Sequence, residues 1–577
     1  MGKFYRTRFR YGVELLNNDC SSNLRDKIGT WIGEALESSV SKGLLPSVKI
    51  DNIPVERPQS PEHGHFASSL PLKLARDMRM NPMNIAEALA SCITGDGSIG
   101  KVWVQSPGFI NFSLEESWIV KQVDVIRTLG DVYGNLDLGA GQSVQVEFVS
   151  VNPTGPLHVG HARGAIYGSA LANILETAGY DVQREYYVND AGNQMSLFFE
   201  SLFARYCQLY KEDMPMPEDG YRGEYVIDLA KEIRDKEQDR FLNLPKEDAI
   251  REIGNIGLDK MLYVIKSDLS KVGVWFDTWF SEKTLYEEGQ YDKSMDLLKL
   301  KGFVTERDGA IWFTSTSLGE DKDNVLVRGT GVPTYFASDV AYHYNKFIER
   351  NFDRVINVWG ADHQGHISRM KAVMTAIDRS PDKLTLMITQ IVTFKHGDET
   401  VRMSKRSGDM ITLSELVSEV GPDACRFFFL SRSPESQMEF DMKLAMDQSS
   451  DNPVYYIQYA YARISSIIKL ASERDIDYAE GDVNLLTHCA ALSLITKMLE
   501  FPEIIGMMAR NLEPHHLTHY STELATTFHW FYRECRVVSS ETGDEEITKA
   551  RLKLVDASKV VLGRCLQLMS MNAPDKM

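Results

Sequence analysis

Two histidines, His158 and His161, stand three residues apart in VNPTGPLHVGHARGAIYGSALANIL, residues 151–175. A Pro-Thr-Gly-Pro turn precedes them and apolar residues at helical spacing follow. Both rings are therefore expected on one side of the first turn of a helix. A helix start gathers free backbone N–H groups and the positive end of the dipole, which makes it an anion site and most often a phosphate site. Gly160, between the rings, leaves room for a flat base against the backbone. The imidazoles could then donate hydrogen bonds to phosphate oxygens as charge builds up. A second stretch, VRMSKRSGDMITL at 401–413, sets Lys405 and Arg406 in a polar loop with Ser404, Ser407 and Gly408. A mobile loop suits a cation needed only in the transition state. Taken singly, each stretch has a plainer reading: a surface or core histidine pair, and a solvated basic loop. Asp362, His363 and His366 in GADHQGH (360–366) are not expected to hold a metal, because no cysteine or further carboxylate cluster stands nearby.

The elements that would position these groups follow from periodicity. SVQVEFVS, from Ser143, alternates as a strand with Val144, Val146 and Phe148 on one face. The histidine helix is expected to run to Gly179 as its C-cap, and DVQREYYVND as a second strand. Strand, helix, strand is a βαβ unit, with the histidines at the C-terminal edge where open α/β sheets bind ligands. Residues 195–300 read as a charged helical insertion, and strand and helix alternate again over 302–430. In the first part, NLRDKIGTWIGEALESSV and LPLKLARDM read as helices, and VKIDNI, KVWVQ and GFINFSL as strands. Near 450, Asp451 or Asn452 can cap a helix with Pro453 in its first turn, and helical periodicity dominates from there on.

The fold class expected is multidomain α/β plus all-α. It comprises a basic extension at 1–20, a small α/β N-terminal domain at 21–115, a Rossmann-like parallel-sheet catalytic core at 116–445, and a C-terminal helical bundle at 446–577. Seven scattered cysteines without a C-x-x-C pair argue against a disulfide framework or a zinc ribbon. No apolar run is long enough to cross a bilayer, and no signal-peptide core follows the basic start. The formal charge of −18 speaks against a nucleic-acid partner unless basic tracks are confined to one face.

Together, HVGH and RMSKR resemble the two signatures of class I aminoacyl-tRNA synthetases, usually written HIGH and KMSKS, with Arg402 in place of the first lysine. VEFVSVNPTGPLHVGH, VLVRGTGVPTYFASDVAYHYNKF (from Val325) and DNPVYYIQYAYARI (451–464) closely resemble bacterial arginyl-tRNA synthetases. PEHGHFA, GFINFSL and the terminal NAPDKM do so as well, although that family usually has Gly-Asp at Gly64-His65. VNDAGNQ (188–194) also resembles a family motif.

The resemblance implies a cytoplasmic enzyme of a family whose members are usually monomeric. It implies activation of L-arginine by ATP, with Mg²⁺ shielding the triphosphate, and transfer to the 3′ end of tRNA(Arg). His158, His161 and Lys405 would be catalytic. Glu147, Ser150, Asn152, Tyr335 and Asp339 would bind arginine, and Gly160, Asp362, His363, Met403 and Ser404 would bind ATP. The first domain would touch the tRNA elbow and the last the anticodon. There, Tyr455, Tyr456, Tyr459 and Tyr461 could stack on bases, with Arg533, Arg536, Arg551, Lys553 and Arg564 as candidate phosphate contacts. Rivals are a smaller nucleotidylyltransferase, a non-catalytic RNA-binding paralogue, and a synthetase for cysteine, glutamate or glutamine.

Overall fold

The computed structural model describes residues 24–396, 399–401 and 411–577. The first unit comprises α1 (Leu24–Ser41), β1 (Phe66–Ser68), α2 (Leu70–Met78), α3 (Pro82–Ala90), β2 (Ile99–Gln105), β3 (Phe109–Leu114) and α4 (Glu116–Leu129). Its strands pair antiparallel in the order β1-β3-β2. VKIDNI is not a strand. Its alternation places Val48, Ile50 and Ile53 against the core, but no neighbouring strand pairs with its backbone. Alternation reports which side chains are buried, and pairing needs a partner as well.

The second unit is built on β4 (Ser143–Phe148), α5 (Val159–Thr177) and β5 (Asp181–Val188). α5 closes in a Schellman motif. Gly179 N–H bonds to Glu176 O (3.0 Å) and Tyr180 N–H to Leu175 O (3.1 Å), with Gly179 at φ +91°. Helices α6 (Asn193–Leu209), α7 (Glu224–Glu237) and α8 (Lys246–Lys271) share a core of their own around Phe198, Leu202, Tyr206 and Phe241. The stretch read as a helical insertion also returns a strand, β6 (Thr278–Ser281), to the main sheet before α9 (Glu282–Glu287) and α10 (Gln290–Leu300). An antiparallel set follows, β7 (Val304–Arg307), β8 (Ala310–Phe313) and β9 (Asn324–Val327). After it come α11 (Tyr335–Tyr344), β10 (Arg354–Gly360), α12 (Ile367–Ala376) and β11 (Leu384–Thr389).

The central sheet is parallel in the order β11-β10-β4-β5-β6. Chain order reverses between β4 and β10, so the ligand crevice of such a sheet is expected at their C-terminal ends. β4 is covered on both faces. Phe148 packs against Gly168 of α5, where a Cβ would stand 2.3 Å from the ring, so only glycine permits this approach. Gln145 and Glu147 point to the other face. A small sheet, β13-β12-β14, is formed by β12 (Val392–His396), β13 (Glu399–Val401) and β14 (Met438–Asp441). Around it lie α13 (Leu413–Val420), α14 (Pro422–Leu430) and α15 (Met442–Met446).

The last unit is helical: α16 (Pro453–Glu473), α17 (Cys489–Leu499), α18 (Phe501–Asn511), α19 (His516–Glu534) and α20 (Glu545–Leu568). Asn452 caps α16, its side chain accepting from Val454 N–H, with Pro453 at the first position. The units share one apolar core and are tied by ion pairs. Arg57 meets Glu503 at 2.8 Å, and Arg127 of α4 meets Asp556 of α20 at 2.8 Å.

Candidate active site

The loop after β4 carries the histidines and the turn after β10 carries GADHQGH, so both flank the reversal point of the sheet. The first residues of that loop are strained. Val149 and Ser150 have φ of +70° and +42°, a left-handed pair that a β-branched residue rarely adopts. Ser150 Oγ accepts the N–H of Tyr187 (3.1 Å), which fastens the turn to the end of β5. Asn152 donates to Gln194 of the VNDAGNQ stretch. In that stretch Asp190 accepts from Ser281 Oγ (2.6 Å) and Lys283 N–H (3.2 Å), holding the step from β6 into α9.

His158 is the N-cap of α5, and its Nδ1 accepts Gly160 N–H at 3.1 Å. That bond fixes the tautomer: Nε2 carries the proton and is free to donate. His161 lies against it, ring centroids 3.5 Å apart and planes 33° apart. Its Nδ1 is buried without a hydrogen-bond partner among the described residues. Burial holds both rings neutral: it lowers His158 and, with the charge of His158 adding to it, takes His161 down to about 3. The expectation of free helix N–H groups needs correction. Val159 N–H bonds to Ile411 O (3.0 Å), Gly160 N–H to His158 Nδ1, and His161 N–H to His158 O (2.9 Å). The donors left for an anion are the rings.

The segment just past the second signature is stitched to the first. Besides the Val159–Ile411 bond, Leu413 N–H bonds to Leu157 O (2.8 Å), and His158 and Thr412 form an antiparallel bridge. Met403, Ser404 and Lys405 lie outside the described residues. Arg163, two positions after His161, is buried. Its guanidinium donates to the carbonyls of Gln390 (3.1 Å), Ser433 (2.6 Å) and Ser436 (2.7 Å), at the entrances to β12 and β14.

On the opposite face of β4, carboxylates gather. Glu147 is buried, Glu282 opens α9, and Asp339 lies half-buried in α11. Burial pushes Asp339 up to about 7; Glu147 and Glu282 add to the rise, while Arg369 and Lys346 oppose it. Burial also raises Glu282, against hydrogen bonds from Ser338 and Tyr187 and with the charge of Asp190 adding to the rise. One oxygen of Glu282 is buried and has no partner among the described residues. Tyr335, the first residue of α11, is 57% exposed and borders Gly192. Asp362 and His363 are exposed and pair with each other at 3.4 Å, while Gly160 is open to solvent.

The structure therefore brings Glu147 and Asp339 together on one face of the sheet, and the histidines, Asp362 and His363 around the crevice. Sequence reasoning missed Glu282, Lys346 and Arg163. Lys346 carried a signal, standing seven residues, or two helical turns, after Asp339. Glu282 carried none, because it meets Asp339 only through the fold.

Three family models match in chain order. They are the arginyl tRNA synthetase N-terminal domain (residues 26–114), the catalytic domain of class I tRNA synthetases (R) (126–431) and the DALR anticodon binding domain (457–577). The arginine–tRNA ligase of Dehalococcoides mccartyi is 53% identical over 546 residues, covering 95% of this chain and 98% of that one. The chain belongs to the arginine–tRNA ligase family. Its activity is that of an arginine–tRNA ligase. The corresponding ligase of Carboxydothermus hydrogenoformans is 45% identical over 552 residues, covering 95% of this chain and 98% of that one. The arginyl-tRNA synthetase structure of Thermus thermophilus shares the fold, with a TM-score of 0.75 at 21% identity over 96% of this chain and all of that one.

In the helical domain the basic candidates divide. Lys553 is buried against Asp124 (3.1 Å), and Arg564 is buried against Asn135 Oδ1 (2.8 Å) and Tyr133 O, so both hold the domain together. Arg533 and Arg536 are exposed. Tyr455 stacks parallel to Tyr459, and Arg463 lies 4.8 Å from the ring centres of both Tyr459 and Tyr532.

Proposed function

We propose that the chain ligates L-arginine to tRNA(Arg) in two steps, with the residues around the sheet reversal dividing the work. Ser150 and Asn152 take the substrate's backbone end, Glu147 its amino group, and Asp339, Glu282 and Tyr335 its guanidinium. The arginine carboxylate attacks the α-phosphate of ATP in line with departing pyrophosphate. A bond forms from carboxylate oxygen to phosphorus and the α–β phosphoanhydride breaks. His158, through its Nε2–H, and His161 donate to the α-phosphate as charge grows there, and Lys405 neutralises the pyrophosphate. As neutral rings they stabilise charge without giving up a proton. A terminal ribose hydroxyl of tRNA then attacks the adenylate carbonyl and AMP leaves. No covalent enzyme intermediate takes part.

ATP is taken with Mg²⁺ held by its own phosphate oxygens. Gly160 leaves the base room, and Asp362, His363, Met403 and Ser404 complete the ATP site. Lys405 is six residues from Ile411, which touches Val159, so at most about 20 Å of chain separates it from the histidine turn.

The observation that carries this reading is the gathering of three carboxylates, Glu147, Glu282 and Asp339, on the face of β4 opposite the histidine helix, close enough for the first two to act on the third. Such a pocket suits a substrate with an ammonium at one end and a guanidinium at the other. The guanidinium's forked donors can use paired acceptors that lysine would leave unmet, a difference of roughly 4–6 kcal/mol. The Tyr455, Tyr459 and Arg463 platform takes anticodon bases, and the first domain takes the tRNA elbow. The protein works as a monomer in the cytoplasm; no helix among the described residues is long and apolar enough to cross a membrane.

The test is ATP–pyrophosphate exchange over all twenty amino acids, with and without total tRNA. Exchange with arginine alone, and only with tRNA, is expected. Exchange with a different amino acid overturns the pocket, and none at all overturns the catalytic assignment in favour of RNA binding.

A further inference from the structure

Beneath the carboxylate pocket runs an unbroken chain of side chains with one direction of donation. Lys346 is fully buried, and its Nζ donates to Glu147 Oε2 (2.5 Å) and Asn357 Oδ1 (3.0 Å). Asn357 Nδ2 donates to His343 Nε2 (3.1 Å), and His343 Nδ1 donates to the backbone oxygen of Asp339 (2.8 Å). Each polar atom in the chain has the role its chemistry requires. Lysine can only donate, which fixes the amide of Asn357; the amide nitrogen can only donate, which fixes the tautomer of His343.

The chain sits on well-defined supports. Asn357 and Glu147 are register neighbours across β10 and β4, the two strands at the sheet reversal. Asp339, His343 and Lys346 lie on one face of a continuous helical stretch. That stretch widens to i→i+5 bonding over Asn345–Glu349, with Arg350 N–H on Asn345 O at 2.9 Å. Such widenings are rare and recur at functional sites. A buried ammonium and a run of buried polar side chains add little to stability compared with apolar packing, so their presence calls for another role.

We propose that this chain is a spacer: it fixes the separation between Glu147 and Asp339, and thereby makes the pocket selective for the length of the arginine side chain. The proposal rests on the assignment of these two carboxylates to opposite ends of bound arginine. Lys346, Asn357 and His343 are positioning residues. None reaches the substrate; together they hold the strand carrying Glu147 and the helix carrying Asp339 at one distance. Loosening that distance weakens arginine binding and lets a homologue one methylene longer, homoarginine, compete.

The experiment compares Asn357→Leu and His343→Phe with the unaltered chain in pyrophosphate exchange, with tRNA present, using arginine and homoarginine. His343→Phe leaves Lys346 both of its acceptors, so it keeps the test decisive if Asn357→Leu does not fold. The expected result is an arginine KM raised about tenfold, an ATP KM changed less than about twofold, and an arginine-to-homoarginine ratio of kcat/KM reduced at least about fivefold. A folded variant with arginine KM and ratio unchanged overturns the proposal. So does a parallel rise in the ATP and arginine KM values, which is the mark of a merely structural role. Asp339→Asn is measured alongside. If it leaves arginine KM unchanged, the pocket assignment itself is wrong; if it raises KM while the spacer variants do not, only the spacer is wrong.

Discussion

Arginine binding should depend on pH through Asp339. Burial, with Glu147 and Glu282 adding to it and Arg369 and Lys346 opposing it, places its carboxyl at about 7. A guanidinium pairs with the ionised form, so binding must first remove the proton. If the bound carboxylate stays ionised throughout, the apparent Kd scales as one plus ten to the power of the pKa minus the pH. That factor is about 11 at pH 6 and about 1.1 at pH 8, a tenfold change or about 1.4 kcal/mol. Calorimetric titration with arginine, in two buffers of different ionisation enthalpy, measures both the change in affinity and the proton released. Close to one proton should leave per arginine at pH 6 and close to none at pH 8. An affinity flat between these values would refute the reasoning, as would the same slope in Asp339→Asn. The stability effect has the opposite sense from an ordinary salt-bridged carboxylate. The folded value lies above the unfolded 3.8, so the folded chain holds an extra proton between the two. The penalty for ionising Asp339 is absent below the unfolded value, grows as pH rises, and is complete above about 7. Asp339→Asn should therefore raise Tm of the arginine-free protein at pH 8 and leave it unchanged near pH 4, while weakening arginine binding.

The histidines give a second expectation. His158→Ala should lower kcat for exchange by about 10²–10³ with little change in arginine KM, because the ring acts on charge that appears in the transition state; a loss confined to KM would contradict its role. His65 gives a third. Its Nδ1 accepts Leu114 N–H at 3.0 Å, and burial, with Arg57 nearby, lowers its pKa below 6.5. Its neutral form is the folded one, so its contribution is present above 6.5 and is lost as pH falls below that value. Thermal melts from pH 7.5 to 5 should show this loss, and His65→Asp, which keeps an acceptor at this position, should remove it. Arg163→Gln should lower Tm by an amount equivalent to about 2–4 kcal/mol, since three carbonyls lose a charged donor; an unchanged melt would discount the staple. Finally, affinity for tRNA should fall as salt rises, and a filter-binding series showing no dependence would remove the electrostatic part of the tRNA reading.

The βαβ unit, the histidine turn and the capped helix at Pro453 were legible because their signals are local: alternation, a Gly/Pro turn, an Asn-Pro cap. What escaped was set by partners distant in sequence. VKIDNI alternates like a strand yet finds no neighbour to pair with, whereas the PEHGHFA stretch that follows it supplies the start of β1 (Phe66–Ser68). The helix-start argument assigned an anion at α5 to backbone donors that Ile411 and His158 already occupy. Lys553 and Arg564 looked like a solvent-facing basic track; their partners, Asp124 and Asn135, lie more than 400 residues earlier. Glu282 reaches Asp339 only because β6 returns to the sheet after a long helical excursion.

The backbone bridge between Leu157–Val159 and Ile411–Leu413 has a consequence for how the protein is made. A ribosome synthesises the histidine turn some 250 residues before the segment that grips it, and Arg426 must later bond to Val272 and to Met569 near the far end. A nascent chain therefore carries its first signature through some 250 residues of synthesis before the segment that orients it exists. The turn can be gripped only once residues 411–413 have emerged.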